Sequence, residues 1–258
     1  MSPQARLNLT RYASWSGFVY IAFLMVGILP LAGFFPSQPP SWDAEQIAQV
    51  YEENRTGIRL GMVLVLVGSM FYVPWTAILA KMISRVEGGP GILTYCQVIA
   101  GCTNVLLTAY PAGWWLIASY RPERSPEIVQ LLNDIGWSQF LGVISPFYFV
   151  TISIAYAALA DDDPNPIIPR WVGWFNIWFE LTLLPLSIIF LFHHGPFAWN
   201  GVFGFYLPFA VFWIWFLVMT PTIRRSLHRI AEIDEGARTG SRSSRSPEEV
   251  RERLGISP

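Results

Sequence analysis

Two stripes of polar residues interrupt long apolar stretches of this chain, and any chemistry has to start from them. The first is Gln97, Gly101, Asn104 and Thr108, whose spacings of four, three and four place them on one helical face over about three turns. The second is Asn176, Glu180 and Ser187, with His194 a further seven on. Amides and hydroxyls at such positions bind the oxygen or nitrogen end of a small molecule, or bond one helix to another where no water is at hand. Glu180 is the acidic residue well inside an apolar stretch. A charged carboxylate there is expensive, so it must turn inward and take a proton or a partner. Three roles are open to it: interhelical hydrogen bonding to Asn104 or Gln97, proton transfer, and binding of a polar substrate group. At roughly 1.5 Å per helical residue, Asn104 and Glu180 lie at similar mid-depth, which predicts that the two stripes meet. The candidate polar cavity is therefore Gln97, Asn104, Thr108, Asn176 and Glu180, with Glu180 as the candidate catalytic group.

Other reactive side chains read as structural. His193 and His194 have no Cys, Asp or Glu nearby at ligand spacing, and neighbouring helical residues diverge by about 100°, so they read as interfacial anchors. Asp161, Asp162 and Asp163 run into Pro164-Asn165-Pro166, the composition of a hydrated turn. Cys96 and Cys102 are six apart, about 240° around a helix, which excludes a disulfide between them and suggests buried small hydrophobes. No metal site and no cofactor are implied. With a formal net charge of -1 there is also no basic excess to suggest nucleic acid as a partner.

The elements that must position these residues are membrane helices. Of the 258 residues, 53% are hydrophobic and 14% charged, and the mean hydropathy is +0.39. A soluble domain carries nearer about a quarter charged residues, so the bilayer is the main partner. A hydrocarbon core of about 30 Å needs roughly 20 apolar residues. Six stretches meet that length: Trp15 to Phe35, Ile58 to Ile83, Ile92 to Tyr120, Trp137 to Ala160, Trp171 to Phe192 and Asn200 to Ile223. The first is too long for a signal-peptide core and lacks a clear cleavage site, which makes it a retained helix. Arg6, Arg11, Lys81, Arg85, Arg170, Arg224, Arg225 and Arg229 fall on one side of the alternation, against Arg55, Arg59, Arg121 and Arg124 on the other. The positive-inside bias then predicts a multi-pass protein of the cell inner (plasma) membrane with both termini cytoplasmic.

The fold class expected is thus all-α: a cytoplasmic segment over 1–14, a six-helix transmembrane domain over 15–223 and a mobile cytoplasmic tail over 224–258. Two outer loops carry amphipathic patterns that predict short interfacial helices. One is capped by Ser41 with a stripe of Ile47, Val50 and Tyr51; the other is capped by Ser125 with Ile128, Leu131 and Leu132. Trp42, Trp114, Trp115, Trp137 and Trp199 are expected to form an aromatic belt beside them. Each span holds a proline, at 30, 74, 111, 146, 185 and 208, which predicts kinks that face protein or water. The frame Trp137, Gly142, Pro146 recurs at Trp199, Gly204, Pro208, as a duplicated hairpin or a chance match would give. Beyond Arg224 small and charged residues predominate, and only Pro247 to Leu254, capped by Ser246, has the pattern of a short helix.

Four segments carry a family likeness: Glu52 to Leu60, Leu131 to Trp137, Pro169 to Asn176 and Gly195 to Gly201. Together they resemble a group of small bacterial six-helix integral membrane proteins, abundant in actinobacteria and some proteobacteria. The resemblance implies the six-helix fold over residues 10 to 225 and brings no catalytic residue with it. The function expected first is a non-enzymatic module, either an accessory subunit or a binder of a lipophilic small molecule, with a membrane protein or a lipophile as its partner. A membrane-embedded isomerase or cyclase acting on a sterol- or isoprenoid-like substrate through Glu180 comes second, and a proton-coupled transporter third.

Overall fold

The computed structural model describes residues 2–243, and all regular structure among them is helical. The helices are α1 (Pro3–Val26), α2 (Ala44–Glu53), α3 (Arg55–Ser69), α4 (Tyr72–Val86), α5 (Ile92–Tyr120), α6 (Pro126–Trp137), α7 (Ser145–Ala160), α8 (Arg170–Leu183) and α9 (Leu207–Ser243). They assemble into six stretches long and apolar enough to cross a membrane: Asn8–Leu31, Arg55–Val86, Ile92–Tyr120, Pro126–Ala160, Arg170–Leu191 and Val202–Gly236. The chain is an all-α, multi-pass membrane protein. An even number of crossings brings the N-terminal segment, the 87–91 turn, the 161–169 loop and the end of α9 to one face, called here the terminal face.

The prolines shape five of the six spans. A proline leaves the carbonyl four residues earlier without its donor, so disruption falls on its N-terminal side. Pro30 lies in a π-helical turn over Gly27–Leu31, and Pro74 follows the break between α3 and α4. Pro146 follows an interruption at Val143 and Pro208 follows a π-helical turn over Val202–Tyr206, whereas at Pro185 the departure runs on the C-terminal side, through a 3-10 stretch over Leu184–Leu191. Pro111 alone of these six leaves its helix, α5, unbroken. The recurring Trp, Gly, Pro frame thus has a local counterpart, a π-helical turn just after the tryptophan at Ser138–Gly142 and another at Val202–Tyr206.

α5 is the central column, with α3, α4, α6 and α7 packed around it, while α8 packs on α7 and α9 closes against α1, α4 and α8. Close approach is possible where side chains vanish: Gly27 of the first span and Gly61 of α3 lie backbone to backbone. Asn54 locks the start of α3 to the end of the first span by donating to the Leu31 and Ala32 carbonyls, both at 3.0 Å. On the terminal face Glu87 caps α5. Its carboxylate accepts from the backbone N–H groups of Gly91, Leu93 and Thr94 and from the Thr94 hydroxyl at 2.6 Å. Burial pushes the Glu87 carboxyl upward, but these four donors outweigh it and hold it below its ordinary value of 4.5.

Several sequence expectations are corrected by the three-dimensional arrangement. The first outer helix begins later than Ser41: Asp43 is its cap, in a reciprocal box with Gln46. The second runs on to Trp137 and buries Val129, Leu132, Asn133 and Gly136, whereas Ile128 and Leu131 point outward. It packs on α2 and α5 at the bundle mouth, with its inner face turned by about one residue from the expected stripe. Trp115, Trp137 and Trp199 are no lipid-facing belt, being buried in the core with Trp42 and Trp114 packed against it. Cys96 and Cys102, free thiols, are half-buried and exposed respectively, not core. The tail from Arg224 continues as helix to Ser243, because Ser226 donates to the Ile167 carbonyl at 2.7 Å, Arg229 to the Asn165 carbonyl at 3.2 Å, and Arg85 pairs with Asp234 at 2.5 Å. The helix expected over Pro247 to Leu254 lies outside the described residues. Asp161 to Asp163 do form a turn, in which Asp161 accepts from the N–H groups of Asp163 and Ile167.

Candidate functional site

Every span contributes to one cavity in the middle of the bundle, with a free volume of about 70 Å³. Four of its walls belong to the disrupted segments. Leu141 and Ile144 flank the break before Pro146, Leu183 and Leu186 flank Pro185, Pro208 itself lines the space, and Met25 adjoins the turn at Pro30. Helix ends that part around a missing hydrogen bond leave room that regular helices would fill. Phe140, Phe147, Phe209 and Phe212 complete an apolar wall.

One corner is polar. Tyr20 of α1 and Thr108 of α5 share a hydrogen bond of 2.8 Å between their hydroxyls. Asn104 commits its amide nitrogen to the Ala100 carbonyl at 3.0 Å, which leaves its oxygen as an acceptor. The Tyr72 hydroxyl is buried in the same lining without a protein partner. All four groups are neutral. The corner can therefore hydrogen-bond a hydroxyl, a carbonyl or water, and holds no charge to neutralise an ion.

Of the five residues whose spacing suggests a shared polar cavity, Asn104 and Thr108 line it and three do not. Gln97 is fully buried one to two turns nearer the terminal face. Asn176 is satisfied between helices: it donates to the Val172 carbonyl at 2.8 Å and accepts from Trp215 Nε1 of α9 at 2.9 Å. Glu180 does not meet Asn104. Its half-buried carboxylate accepts from Thr151 of α7, close to the Tyr148 hydroxyl, which bonds Ser187 at 2.8 Å. α7 lies between α8 and α5, and it is α7 that supplies the partner. Tyr20 and Tyr72 are the cavity residues that the polar stripes miss. A tyrosine in the middle of an apolar span is the signal, since its hydroxyl needs a partner that lipid cannot give.

The opposite face is sealed. Phe34, Trp115 and Trp137 stack edge to face or tilted, with centroids 4.9 to 5.7 Å apart. Trp137 and Trp199 donate to Gln38 at 2.8 and 2.7 Å, and Tyr51 of α2 donates to Asn133 of α6 at 3.0 Å. On the terminal face a more polar cleft of about 490 Å³ opens between the turns at Ser84–Gly89 and Asp161–Ile167. His193 and His194 are exposed, and no group of three or more His, Cys, Asp or Glu among the described residues is placed to hold a metal ion. Comparison of this chain with protein-family models, with curated proteins and with solved structures gives no match.

Proposed function

We propose that this protein is a non-enzymatic module of a bacterial inner membrane that holds the oxygen-bearing end of a neutral lipophilic molecule, with its terminal face in the cytoplasm. The observation that carries this reading is the cavity that all six spans share, apolar except for the corner of Tyr20, Tyr72, Asn104 and Thr108. One neutral hydrogen-bonding end in an apolar chamber is the pattern of small-molecule sites, in which few polar groups set orientation and the walls supply affinity. At about 70 Å³ the space is the volume of roughly two water molecules. It accommodates the hydroxyl or carbonyl end of a lipophilic molecule, and a ring or isoprene unit would have to push the helices apart, since a cavity that takes benzene is about 150 Å³. The carboxylate of Glu180, the candidate acid-base group, does not line the chamber.

The test is native mass spectrometry of protein extracted directly into lipid nanodiscs. A co-purifying neutral lipophile is expected, together with its loss from a Leu107→Trp variant, which fills the chamber from the half-buried side of α5. Wild-type protein free of any such molecule, or retention by a folded Leu107→Trp variant, overturns the reading.

A further inference from the structure

The polar corner of the cavity has more hydrogen-bonding capacity than its own residues use, and the surplus is different at each group. Asn104 donates to the Ala100 carbonyl at 3.0 Å. A carbonyl only accepts, so the amide nitrogen is the atom turned to Ala100, and Asn104 Oδ1 is left as an acceptor. Tyr20 and Thr108 share one hydrogen over 2.8 Å, and whichever hydroxyl receives it keeps its own hydrogen to give away. Tyr72 brings a third hydroxyl, fully buried and without a protein partner.

The register of α4 on α5 places Tyr72. Thr76 sits against Gly101 so closely that a Cβ on the glycine would overlap the threonine side chain. The two helices are antiparallel neighbours, so Tyr72, one turn before Thr76, falls level with Asn104, about one turn after Gly101. The Tyr72 ring also stands edge-on to Tyr20, with centroids 5.1 Å apart. The contact between Thr76 and Gly101 closes α4 against α5 on the terminal side of Tyr72. A partner for the Tyr72 hydroxyl therefore has to come from the chamber that this residue lines.

The corner thus offers hydrogens from Tyr72 and from the Tyr20 and Thr108 pair, and an acceptor in Asn104 Oδ1. A ketone, an aldehyde or an ether accepts but has nothing to give, and would leave Asn104 Oδ1 buried and unpaired. An ammonium group gives but does not accept, and brings a charge that nothing in the lining balances. A hydroxyl does both, with one hydrogen to give and two lone pairs to fill. We infer that the chamber is specific for an alcohol. Its hydroxyl donates to Asn104 and accepts from Tyr72 and from the Tyr20 and Thr108 pair, while its chain leaves past the partly buried Leu107 and Phe209. This rests on the function proposed above and narrows its ligand from a neutral oxygen-bearing lipophile to an alcohol.

The test is a competition in which one functional group changes. Protein stripped of its own lipids is rebuilt into nanodiscs doped with equal amounts of cetyl alcohol, the methyl ketone of equal chain length, and hexadecane, and native mass spectrometry counts what stays bound. Cetyl alcohol is expected to be retained at least about tenfold over the ketone, which strands a buried acceptor. Asn104→Leu should remove that preference by weakening the alcohol and sparing the ketone, whereas Tyr72→Phe, which takes away a donor, should weaken both. Equal retention of alcohol and ketone by wild-type protein, or a preference for the ketone, overturns the inference and leaves the lipophile-binding reading standing. Preference for the alcohol that persists in a folded Asn104→Leu variant refutes the assignment of its hydrogen to Asn104. Retention of neither oxygenated probe above hexadecane sinks the inference and the proposed function together.

Discussion

Replacing Gly27 by alanine sets two effects of opposite sign against each other. Gly27 has ordinary helical backbone angles, φ -65° and ψ -47°, so alanine introduces no backbone strain. By helix propensity the exchange should stabilise by up to about 1 kcal/mol. A Cβ at this position, however, would stand 2.6 Å from the Gly61 carbonyl oxygen and 2.6 Å from Val65 Cγ2, about 0.8 Å inside the 3.4 Å at which ordinary contact begins. The valine methyl can swing away, but the carbonyl belongs to α3. Gly27 is equally held, since its own carbonyl accepts from Ala32 N–H at 3.0 Å within the π-helical turn. Overpacking of a rigid contact costs about 1–3 kcal/mol, and contact with backbone belongs to the upper part of that range. The net expectation is a loss of about 1–2 kcal/mol. Relief requires α1 to move off α3, and a shift of that size would stretch the 2.8 Å bond between Tyr20 and Thr108 beyond hydrogen-bond reach. The assay is thermal unfolding in nanodiscs followed by tryptophan fluorescence, with Gly27→Ala expected to melt below wild type and the addition of Val65→Ala expected not to restore it. A higher midpoint for Gly27→Ala would refute the reasoning, because propensity would then outweigh a contact that the helices can evade.

The Glu87 carboxyl titrates below 4.5 in the folded protein, so its cap on α5 contributes fully above that pH and is lost as the pH falls through the lower folded value. Glu87→Gln should therefore cost about 1 kcal/mol at pH 7, and the gap to wild type should narrow below pH 4.5; a gap independent of pH in thermal melts would contradict the capping role. Asp234→Asn removes an ion pair whose side chains are 39% and 45% exposed, so the melting temperature should fall by no more than about 1 kcal/mol allows and the effect should vanish at high salt. A large, salt-insensitive loss would mean that this pair anchors the α9 extension. Glu180→Gln keeps an acceptor for Thr151 and is expected to leave stability and any retained lipophile near wild type; loss of the lipophile from a folded variant would tie Glu180 to the cavity after all. Reporter fusions after Arg85 and after Arg225 should both read cytoplasm, and an external signal at either would reverse the orientation.

Six apolar stretches of spanning length are legible because hydropathy is additive along the chain, whereas their limits shift, the fourth span starting at Pro126 rather than Trp137 and the sixth running on to Gly236. The α5 stripe is legible as a face for a similar reason: periodicity within one helix puts Gln97, Asn104 and Thr108 on the same side, and all three are buried. What periodicity lacks is the identity of the helix opposite. Residue counting gives Glu180 and Asn104 the same expected depth, yet Thr151 of α7 takes the carboxylate, because adjacency of helices is set by packing over the whole bundle. The same gap explains the tryptophans. Trp115 and Trp137 have the positions of interfacial residues in the sequence, and they are buried because α2 and α6 fold back over the bundle mouth and cover them. The α9 extension beyond Arg224 is held by partners sixty to one hundred and fifty residues away in the chain, at Ile167, Asn165 and Arg85, which no local composition can reveal.

The prolines join fold to site. Taken singly, each only marks a place where one span must bend, and a bend in a membrane helix is compatible with many packings. In three dimensions the disrupted stretches of the first, fourth, fifth and sixth spans converge on the same chamber, with the neutral hydroxyls of Tyr20, Tyr72 and Thr108 at its edge. Helix ends that part at these breaks leave room between the spans, and a chamber without kinks would close by regular packing. Removing one kink should accordingly shrink the cavity rather than only straighten a helix. Pro185→Ala, which restores a donor for the Leu181 carbonyl and lets α8 continue through the 3-10 stretch, is expected to draw Leu183 and Leu186 inward and abolish retention of any lipophile while raising thermal stability. A Pro185→Ala protein that is more stable and still holds the molecule would show that the chamber owes nothing to this break.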